Sequence, residues 1–507
     1  MTVGDLLRAL DRVPGLAQSP LPAAGATNAS LLQTQCTAVT HDSRRVGSGA
    51  IFVALVGLKA NGAVFAPQAI AAGASAIVAE SPAPTGVTVP WVVVNDARLA
   101  LAWLSAEFFG HPSREMTVVG ITGTNGKTTT SFLVNAILDA AGIQCGLMGT
   151  VAYRIGDRAF DATRTTPEAP DLQGFMRDMV ASGCGACVME VSSHALALKR
   201  VDGIQFAAAV FTNLTRDHLD FHADMEDYFA AKRRLFELLP PDAPALINAD
   251  DPRSASLVEV VKRPVTYGIH KAADVSPGPL SYSLRGLDFD VRSPHGVVHV
   301  QSSLVGKPNV YNILGAVGTA LELGVPIAAI EDGLRRLAGV PGRFEVVSAA
   351  TDDVTVVVDY AHTDDALRNL LETARPMATR RLITVFGAGG DRDRPKRPLM
   401  GMVAARLSDV VVITSDNPRS EDPERIIEEV KRGADAETRQ SNASVVTVVD
   451  RREAILQAVR TAAAGDVVLI AGKGHEKYQE ISGRRVAFDD IEVAREALEA
   501  RRVQSRA

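Results

Sequence analysis

Short apolar runs rich in β-branched residues alternate with Ala- and Leu-rich stretches of helical character along nearly the whole chain. The predicted strands are Ile77-Val78, Trp91–Val94, Thr117–Ile121, Val354–Val358, Leu382–Phe386, Val410–Thr414 and Val467–Ile470. Strands that alternate with helices pair in parallel, because each helix carries the chain back across the sheet. This alternation therefore predicts an α/β fold built on mostly parallel sheets.

The chain length and two breaks in this pattern predict the domain organisation. At roughly 100–200 residues per domain, 507 residues suggest about three domains. Breaks at Gly110–Ser113 and Gly339–Gly342 place them at residues 1–112, 113–341 and 342–507. Within the middle domain, Pro277–Val300 has short alternating runs between Gly, Pro and Ser turns, which predict a small antiparallel addition.

Composition narrows the function classes. The formal net charge of -6 argues against a nucleic-acid surface. No window reaches about 18 uninterrupted apolar residues, and the first residues lack the apolar core of a signal peptide, so we expect no membrane insertion. Cys184 and Cys187 form one C-x-x-C without a second pair at zinc spacing, and the four cysteines are too few for a disulfide framework. A reducing, cytoplasmic location fits these features.

The strongest local signal is the segment Thr117–Thr130, in which a β-rich run enters a Gly-rich loop and a helical pattern follows. This is the strand–loop–helix context of a phosphate-binding loop. Gly123 and Gly126 allow backbone N–H groups to close on phosphate oxygens, and the helix N-terminus adds its positive dipole. The loop has the short form G-x-x-G-K-T, so we expect Lys127 on the β- and γ-phosphates and the Thr128 hydroxyl on Mg²⁺.

A second polar cluster follows a predicted strand end. Glu190 in MEVSSH is a candidate Mg²⁺ ligand, although a solvated glutamate is the simpler interpretation. The later stretch TNLTRDHLDFH holds His218 and His222 beside Asp217 and Asp220, which leaves a zinc site conceivable. That stretch lacks the H-E-x-x-H arrangement of helical zinc sites.

Lys232 lies on an amphipathic helical stretch, where a solvated lysine is the default interpretation. A buried lysine loses its proton readily. A neutral amine beside Mg²⁺ could take up CO₂ and become an anionic carbamate ligand, but nothing in the local sequence decides between these two interpretations.

Several motifs occur in one order along the chain: GTNGKTTT, MEVSSHAL, TNLTRDHLDFH, the lysine helix, KPNVYNILGA and DYAHTDDAL. In this order and spacing the chain resembles the Mur ligase family. The resemblance implies a UDP-substrate-binding N-terminal domain, a central ATP-binding domain and a Rossmann-like C-terminal domain that binds an amino acid. It also implies that ATP phosphorylates a substrate carboxylate and that an amine then attacks the acyl phosphate.

The resemblance assigns residues to the ATP and metal sites. ATP-binding residues are Gly123, Thr124, Asn125, Gly126, Lys127, Thr128, Thr129, Asn309, Asn312, Arg343, Asp359 and His362. Magnesium ligands are Thr128, Glu190, His218 and Lys232, the last corresponding to the family's carbamylated lysine. Lys127, Glu190, His218 and Lys232 form the catalytic set. Two positions depart from the family pattern, Asp364 in place of Pro and Pro308 in place of an aromatic residue.

The N-terminal stretch Thr40–Gly62 and the stretch Arg164–Pro167 resemble the substrate-binding parts of family members that add the third residue of the peptide. The implied contacts to UDP-N-acetylmuramoyl-L-alanyl-D-glutamate are His41, Ser43, Leu58, Lys59, Ala60, Arg164, Thr165, Thr166, Ser192, Leu198 and Arg200. Arg164 replaces a common Asn, and Leu198 stands where some members have Gln. An arginine close to the D-glutamate carboxylates is chemically apt.

The stretch Asp416–Arg419, D-N-P-R, resembles the motif of members that add meso-diaminopimelate rather than lysine. Locally, N-P indicates only a turn. Diaminopimelate carries a second carboxylate and ammonium, so Arg419 can grip the carboxylate bidentately while Asp416 pairs with the ammonium. The full implied set is Arg392, Asp416, Asn417, Pro418, Arg419, Gly472 and Glu476.

Three other functions compete with this interpretation. One is a folylpolyglutamate synthase-like or other Mur-type ligase, which the N-terminal DSR stretch and D-N-P-R disfavour. Another is a P-loop switch or motor, which leaves D-N-P-R, GKGHE and residues 211–222 unexplained. The last is a binding module without catalysis, which the presence of every expected catalytic residue disfavours. We expect a monomer with two small-molecule substrates and ATP, and no nucleic-acid partner.

Overall fold

A computed structural model describes residues 1–18, 26–57, 61–156, 158–283, 286–438 and 441–504. The first sheet is parallel, in the order β1-β2-β3-β4. Its elements are α1 Val3–Ala9, α2 Ala26–Gln33, β1 Ala38–Thr40, β2 Ala50–Ala54, α3 Ala66–Ala71, β3 Ala76–Ala79, β4 Trp91–Val93 and α4 Ala97–Phe108. Strands β2 and β3 are buried throughout, as expected for a parallel sheet covered on both faces.

The middle of the chain forms the largest sheet, in the order β12-β11-β10-β5-β9-β6-β7-β8. Pairing is parallel from β12 to β6, and β7 and β8 extend the edge antiparallel. The elements are β5 Thr117–Thr122, α5 Lys127–Ala140, β6 Cys145–Met148, β7 Ala152–Ile155, β8 Arg158–Asp161, α6 Ala169–Ala181, β9 Ala186–Glu190, α7 Ser193–Ala197, β10 Ala208–Phe211, α8 Met225–Glu237, β11 Ala245–Asn248, α9 Ser254–Val258 and β12 Pro264–Tyr267.

The antiparallel addition predicted from the sequence is confirmed. It consists of β13 Ser276–Pro277, β14 Ser281–Ser283, β15 Gly286–Ser293 and β16 Gly296–Ser302, with β15 pairing antiparallel to the other three. Helices α10 Lys307–Glu322 and α11 Ile327–Arg336 follow. Pro308 lies in the first turn of α10, where a missing backbone N–H costs nothing, so this departure from the family pattern fits the helix start.

The last sheet has the order β17-β18-β22-β19-β20-β21, parallel except for the β17–β18 pair. Its strands and the helices around them are β17 Glu345–Val346, β18 Thr355–Asp359, α12 Asp364–Ala374, β19 Leu382–Phe386, α13 Lys396–Leu407, β20 Val410–Ile413, α14 Pro423–Thr438, β21 Ser444–Thr447, α15 Arg451–Thr461, β22 Val467–Ala471 and α16 Asp490–Gln504. Between β22 and α16, β23 Tyr478–Ile481 and β24 Arg484–Ala487 form a separate antiparallel pair. The departure Asp364 opens α12 after the N-cap Thr363, where an acidic side chain complements the helix dipole.

The three layered sheets confirm the predicted α/β class. Apolar side chains pack on both faces of the middle and last sheets, so each domain has its own core. Carboxyl ends of parallel strands meet at one edge, which is where ligands bind in open α/β sheets. Among the described residues, no helix is long and apolar enough to cross a membrane. All four cysteines are free and buried.

Candidate active site

The phosphate loop joins β5 to α5 and is shaped by two glycines in the left-handed region. Gly123 has φ 147°, and a side chain there would collide with the Thr212 hydroxyl. Gly126 has φ 88° at the N-terminus of α5, and a side chain there would meet the Asn312 amide oxygen. Only glycine satisfies both the backbone angle and the close approach. The loop therefore presents its backbone at the positive end of a helix.

Lys127, the first residue of α5, folds its side chain over the loop. Its Nζ donates to the carbonyl oxygens of Gly123 at 2.9 Å and Thr124 at 2.8 Å. Burial lowers the pKa of Lys127, and the nearby Arg343 lowers it further, whereas Glu190 and Asp217 act in the opposite direction. An anionic phosphate in the loop would supply the charge partner that the loop carbonyls do not.

Residues 212–215, after β10, hold the loop from one side. Thr124 Oγ1 donates to the Thr215 carbonyl at 3.1 Å, and the backbone N–H of Asn125 donates to Asn213 at 2.9 Å. The Asn125 amide also reaches Asp365 of the last domain at 3.0 Å. The predicted nucleotide residue Asn125 therefore links two domains.

The predicted adenine-side residues lie on α10 beneath the same loop. Asn312 donates to Asn309 at 2.9 Å, and Asn309 in turn donates to the Val305 carbonyl at 2.8 Å. The Asn312 amide oxygen accepts from Thr130 at 3.3 Å. Thr128, Thr129 and Thr130 are all buried, so the first turn of α5 is packed against α10.

Glu190 ends β9 and pairs in register with Ile121 of β5, so its carboxylate lies beside the phosphate loop. The side chain is 1% exposed and accepts from the Thr150 backbone at 2.8 Å and the Thr150 hydroxyl at 3.1 Å. The Thr165 hydroxyl lies 3.1 Å from that of Thr150. Thr166 donates to the Glu190 carbonyl at 2.9 Å, which ties the predicted peptide-binding stretch to the metal-binding candidate.

Lys232 lies on α8 and is 1% exposed, which rules out the solvated-lysine interpretation. Its Nζ donates to the Gly123 carbonyl at 2.8 Å and lies 4.4 Å from the centroid of the Tyr228 ring. Lys127 donates to the same carbonyl. Burial and the neighbouring Lys127 hold the pKa of Lys232 well below its usual range, with Asp217 opposing them. The amine is thus biased towards its neutral, nucleophilic form.

His218 has φ 55° and follows Asp217, whose Oδ1 accepts from the His218 backbone at 2.8 Å. Burial lowers the pKa of His218 to about 3, so its ring is neutral near pH 7 and has a lone pair for a ligand. Its ring packs edge-on to His194, 4.9 Å between centroids. Among the described residues, no group of three His, Cys, Asp or Glu side chains is placed to hold a metal, so the zinc alternative lacks such a ligand set.

The last domain reaches the phosphate loop through Arg343. Its guanidinium donates to Thr128 Oγ1 at 2.9 Å and stacks on Tyr360, 4.6 Å from the ring centroid. Asp359 accepts from the Phe344 backbone at 2.6 Å and from the Ala361 backbone at 2.7 Å. Asp359 therefore fixes the backbone that carries Arg343, while Arg343 itself reaches the loop.

His362 belongs to the same interdomain contact. Its Nδ1 lies 2.9 Å from the Tyr360 carbonyl, and burial lowers the pKa of the ring. Burial would raise the pKa of Asp217, but His218, His362 and Lys396 outweigh it and lower that pKa to about 2. His362 thus faces the carboxylate that precedes His218 across the domain boundary.

The residues predicted to bind the nucleotide-linked dipeptide converge on Glu168, which the sequence did not single out. Its Oε1 accepts from Arg200 at 2.7 Å and from Arg164 at 2.8 Å. Arg200 also donates to the Thr166 carbonyl at 3.0 Å. Burial lowers the pKa of His41 from the first domain, and Glu168 opposes this effect. These groups therefore lie at the contact between the first two domains.

The remaining predicted contacts on this side are distributed unevenly. Ser192 caps α7 by accepting from the Ala195 backbone at 3.2 Å and lies 3.3 Å from Thr166 Oγ1. Leu198 forms the C-cap of α7. Ser43 donates to Gln68 within the first domain at 3.1 Å. Leu58, Lys59 and Ala60 lie outside the described residues.

The D-N-P-R stretch follows β20 and closes against β23. Asn417 donates to Glu476 Oε2 at 2.8 Å, and its own Oδ1 accepts from Lys473 at 3.1 Å and from the Glu480 backbone at 2.9 Å. Pro418 lies against Gly390, whose missing side chain leaves room for the Pro418 carbonyl. The stretch is therefore one hydrogen-bonded unit with the 472–480 segment.

Arg419 adopts φ 53° and donates to the Gly390 carbonyl at 2.7 Å. Its backbone N–H donates to the Glu480 carbonyl at 2.9 Å, and its Nε lies 3.5 Å from the Glu480 carboxylate. Arg392 is exposed and donates to the Asp391 carbonyl at 3.2 Å. Both guanidiniums thus flank the Gly389-Gly390 turn and remain accessible to a carboxylate.

The two acids of this pocket have different surroundings. Asp416 is buried with its carboxylate against Gly472 and 3.9 Å from Arg451. Burial would raise its pKa, but Lys473 and Arg451 outweigh that effect and lower it. The side chain of Glu476 keeps 18% exposure. Glu476 is therefore the more exposed of the two acids, and the pairing of Asp416 with a bound ammonium stays a prediction.

Several residues of the site escaped the sequence analysis because their partners are distant along the chain. They are Thr150, Glu168, Tyr228, Tyr360, Lys396, Lys473 and His475. Lys473 and His475 stand inside the GKGHE motif, so the motif itself was a usable signal. Thr150 and Glu168 carry no local signal, since their partners Glu190 and Arg200 lie 40 and 32 residues away.

Comparison with known proteins covers nearly the whole chain. Three family models match: "Mur ligase family, catalytic domain" at residues 35–109, "Mur ligase middle domain" at 121–320 and "Mur ligase, glutamate ligase domain" at 342–474. A Solibacter usitatus protein named UDP-N-acetylmuramoyl-L-alanyl-D-glutamate–2,6-diaminopimelate ligase is 48% identical over 92% of this chain and 94% of its own. A Gloeobacter violaceus protein of the same name is 47% identical over 92% and 94%. A solved structure of an enzyme with this name is 35% identical, covers 99% of both chains and has a TM-score of 0.69.

Proposed function

Because the chain belongs to the Mur ligase family, we propose that it uses ATP to join meso-2,6-diaminopimelate to UDP-N-acetylmuramoyl-L-alanyl-D-glutamate. The products are the UDP-muramoyl-tripeptide, ADP and phosphate. The protein is thus an ATP-dependent ligase that forms a peptide bond in peptidoglycan precursor synthesis, a step that serves cell-wall growth, cell shape and division.

The observation that carries the choice of amino acid is the pocket around residues 416–419. It offers the guanidiniums of Arg419 and Arg392 on one side and the partly exposed Glu476 carboxylate on the other. The distal end of diaminopimelate presents a carboxylate and an ammonium, which match these charges. Lysine lacks the carboxylate and so cannot form this charge-assisted contact with Arg419, which disfavours its binding.

The chemistry begins with a substrate carboxylate oxygen attacking the γ-phosphorus of ATP while ADP leaves. The loop around Gly123 and Gly126 orients the phosphates with its backbone, and Lys127 and Arg343 neutralise the charge that develops on the transferred group. Both cations already lie at the loop, Arg343 through Thr128 and Lys127 through the loop carbonyls. Closure of the last domain, through Arg343, is therefore coupled to phosphate binding.

The second step is attack of the diaminopimelate amine on the acyl phosphate, with expulsion of phosphate. The pocket at 416–419 holds the far end of the amino acid, so the reacting amine is presented in one orientation. Glu168, Arg164 and Arg200 line the side predicted to hold the dipeptide. We propose that Arg164 and Arg200 contact its carboxylates.

A magnesium ion is the implied cofactor, and the donor set fits one. Thr128 Oγ1 and the Glu190 carboxylate are hard oxygen donors, both buried, with Thr128 in the first turn of α5 and Glu190 at the end of β9. His218 and a carbamylated Lys232 would complete the ligands. When bound, magnesium neutralises the phosphate oxygens and polarises the γ-phosphorus.

Lys232 suits carbamylation because its amine is buried, biased towards the neutral form and hydrogen-bonded to a backbone carbonyl, that of Gly123, rather than to a carboxylate. Addition of the neutral amine to CO₂ releases one proton and gives an anionic carbamate. The new negative charge offsets the neighbouring ammonium of Lys127. We place the enzyme in the cytoplasm, where ATP and nucleotide-linked precursors are available, and propose that it acts as a monomer.

The test is phosphate release by the purified protein with ATP, Mg²⁺ and UDP-N-acetylmuramoyl-L-alanyl-D-glutamate. Parallel reactions contain meso-diaminopimelate, L-lysine or no amino acid. We expect release with diaminopimelate and little with lysine. Preference for lysine would refute the amino-acid assignment alone, and release that needs neither cosubstrate would support a plain P-loop ATPase instead.

A further inference from the structure

Lys473 is a fully buried cation in the amino-acid pocket that the proposed reaction leaves without a role. Its side chain is 0% exposed, and its Nζ donates to Glu476 Oε2 at 2.9 Å and to Asn417 Oδ1 at 3.1 Å. The face of the Tyr478 ring lies 5.6 Å away. Burial of an ammonium is costly, so such a group persists where its partners compensate for the lost hydration.

The first consequence of Lys473 is the orientation of the Asn417 amide. Two donors, Lys473 Nζ and the Glu480 backbone N–H, converge on Asn417 Oδ1. An amide whose oxygen accepts from both must direct its NH₂ the other way, and that NH₂ donates to Glu476 Oε2 at 2.8 Å. Without Lys473, the amide would lose one of the two donors that define its orientation.

The second consequence concerns the Glu476 carboxylate. Lys473 and Asn417 both donate to one oxygen, Oε2, which fixes the plane of the group and leaves Oε1 as the oxygen that can accept from a bound ammonium. Charge-assisted hydrogen bonds of this kind are shorter and stronger than neutral ones. Lys473 therefore holds the acid of the pocket in a single position.

The guanidinium side of the pocket depends on Lys473 much less. Arg419 is held by the Gly390 carbonyl and by the backbone and carboxylate of Glu480. The path from Lys473 to Arg419 runs through Asn417 and then Glu480, two further hydrogen-bonded steps. Recognition of a carboxylate by Arg419 should therefore survive changes at Lys473 that disturb Glu476.

We propose that Lys473 is a positioning residue for the distal ammonium of the added amino acid, acting through Glu476 and Asn417, while Arg419 recognises the distal carboxylate separately. The inference rests on the proposed function and adds to it that different residues recognise the ammonium and the carboxylate. Two analogues separate the two recognitions. 2-Aminopimelate retains the distal carboxylate but lacks the distal ammonium, and L-lysine retains the ammonium but lacks the carboxylate.

The experiment compares KM and kcat of the full chain, wild type and Lys473→Met, for meso-diaminopimelate and 2-aminopimelate at saturating ATP and nucleotide substrate. We expect the KM for diaminopimelate to rise about 10- to 100-fold, since one hydrogen bond to a charged group is misplaced. The KM for 2-aminopimelate should change less than about threefold, and kcat with diaminopimelate should stay within about fivefold. The preference for diaminopimelate over 2-aminopimelate should thus largely disappear.

Lys477→Met is the matched control, because Lys477 lies in the same segment but is exposed and pairs with Asp489 on the far side. Lys473→Gln, which keeps a donor without charge, should give an intermediate preference and replaces Lys473→Met if that variant does not fold. A parallel rise of both KM values, or no rise for diaminopimelate, would overturn the proposal. Absence of diaminopimelate-dependent turnover in the wild type would instead refute the proposed function.

Discussion

The surroundings of two buried lysines, Lys232 in the middle domain and Lys473 in the last, differ in one physical respect. Both side chains are essentially inaccessible to water, at 1% and 0% exposure. Lys473 has a carboxylate and an amide oxygen as acceptors, whereas Lys232 has one backbone carbonyl, an aromatic face and another lysine close by. The same residue type thus has a carboxylate partner in one region, whereas in the other it is driven towards a neutral amine.

The two environments have different consequences for stability and for reactivity. A compensated ammonium holds its neighbours in place and contributes to stability, while an uncompensated one costs stability and gains nucleophilicity. Sites that perform chemistry often retain groups of the second kind at the expense of stability. We therefore expect substitution of Lys473 to lower the free energy of unfolding and substitution of Lys232 to raise it.

The largest expected effect is the loss of turnover in Lys232→Met. Removal of the amine removes the proposed carbamate ligand, so kcat should fall about 10³-fold, in line with the several kcal/mol that metal-ion catalysis supplies. Phosphate release at saturating substrates measures it. Arg233→Met, next along α8 but exposed and paired with Glu237 at 2.8 Å, is the control and should keep near-normal turnover. Activity of Lys232→Met close to wild type would refute the role of Lys232.

The next effect is on the stability of Lys473→Met. Its loss leaves Glu476 and Asp416 with one charge partner fewer in a buried setting, so the free energy of unfolding should fall by about 3 kcal/mol at neutral pH. Lys473 helps lower the pKa of Asp416, and a lowered carboxylate pKa gives stability that is present above the unfolded value and lost as pH falls. The deficit should therefore shrink as pH falls through the carboxylate range.

Urea unfolding of wild type and Lys473→Met at pH 7 and at about pH 3, below the ordinary carboxylate pKa, measures both quantities. Lys477→Met again serves as the matched control, with a change within about 0.5 kcal/mol, as is usual for an exposed position. An equal deficit at both pH values would show that lost packing, and not lost charge, explains the effect.

The third expected effect is a gain in stability. Lys232→Met should raise the stability of the metal-free, CO₂-free protein by about 1 kcal/mol, because an apolar side chain removes the cost of desolvating and deprotonating the buried amine. The pKa of Lys232 is depressed in the folded state, so the unfolded chain binds more protons between the folded and unfolded values. Wild-type stability therefore rises with pH across that window, and the advantage of Lys232→Met should decline there.

Thermal or urea unfolding of both proteins from pH 7 to pH 10 measures whether the stability advantage of Lys232→Met declines as pH rises. An advantage that grows with pH would mean that Lys232 is stabilised as a cation, like Lys473. Added bicarbonate offers an independent check in the wild type, since carbamate formation should stabilise the folded protein and leave Lys232→Met unchanged.

The two lysines also show what the sequence could and could not predict. The α/β class, every predicted strand run and the small antiparallel sheet follow from local apolar periodicity, which residue types alone express. The phosphate loop could be predicted equally well, because Gly123, Gly126, Lys127 and Thr128 lie within six consecutive residues. The ligand assignments themselves remain predictions.

Long-range partners explain what was not foreseen. The contact of Lys232 with the Gly123 carbonyl joins residues 109 positions apart, and Lys473 reaches Asn417, 56 residues away. The sequence predicts that Asp416 pairs with the substrate ammonium. Its burial, its position 3.9 Å from Arg451 and the partial exposure of Glu476 are seen only in the structure. Strand register and side-chain direction determine these long-range contacts, and a short sequence motif specifies neither.

The smallest expected effect concerns the ion pair that joins the two regions. Arg216, two residues before His218, lies 3.5 Å from Asp393 in the segment that precedes α13. A long, partly exposed pair contributes at most about 1 kcal/mol, so Arg216→Ala should lower kcat/KM for ATP about two- to fivefold. Other contacts across the same boundary, Arg343 to Thr128 and Asn125 to Asp365, should sustain closure without it.

A double-mutant cycle with Asp393→Ala measures the coupling between the two side chains, and Arg233→Ala on α8 controls for loss of an exposed cation. We expect the double variant to be no worse than either single one, and the reversed pair Arg216→Asp with Asp393→Arg to regain part of the activity. Strictly additive losses would mean that the pair does not act across the boundary. In that case the boundary would be held by the contacts of Arg343 and Asp365 and by the charges around Asp217, whose pKa is lowered by His218 and, from the last domain, by His362 and Lys396.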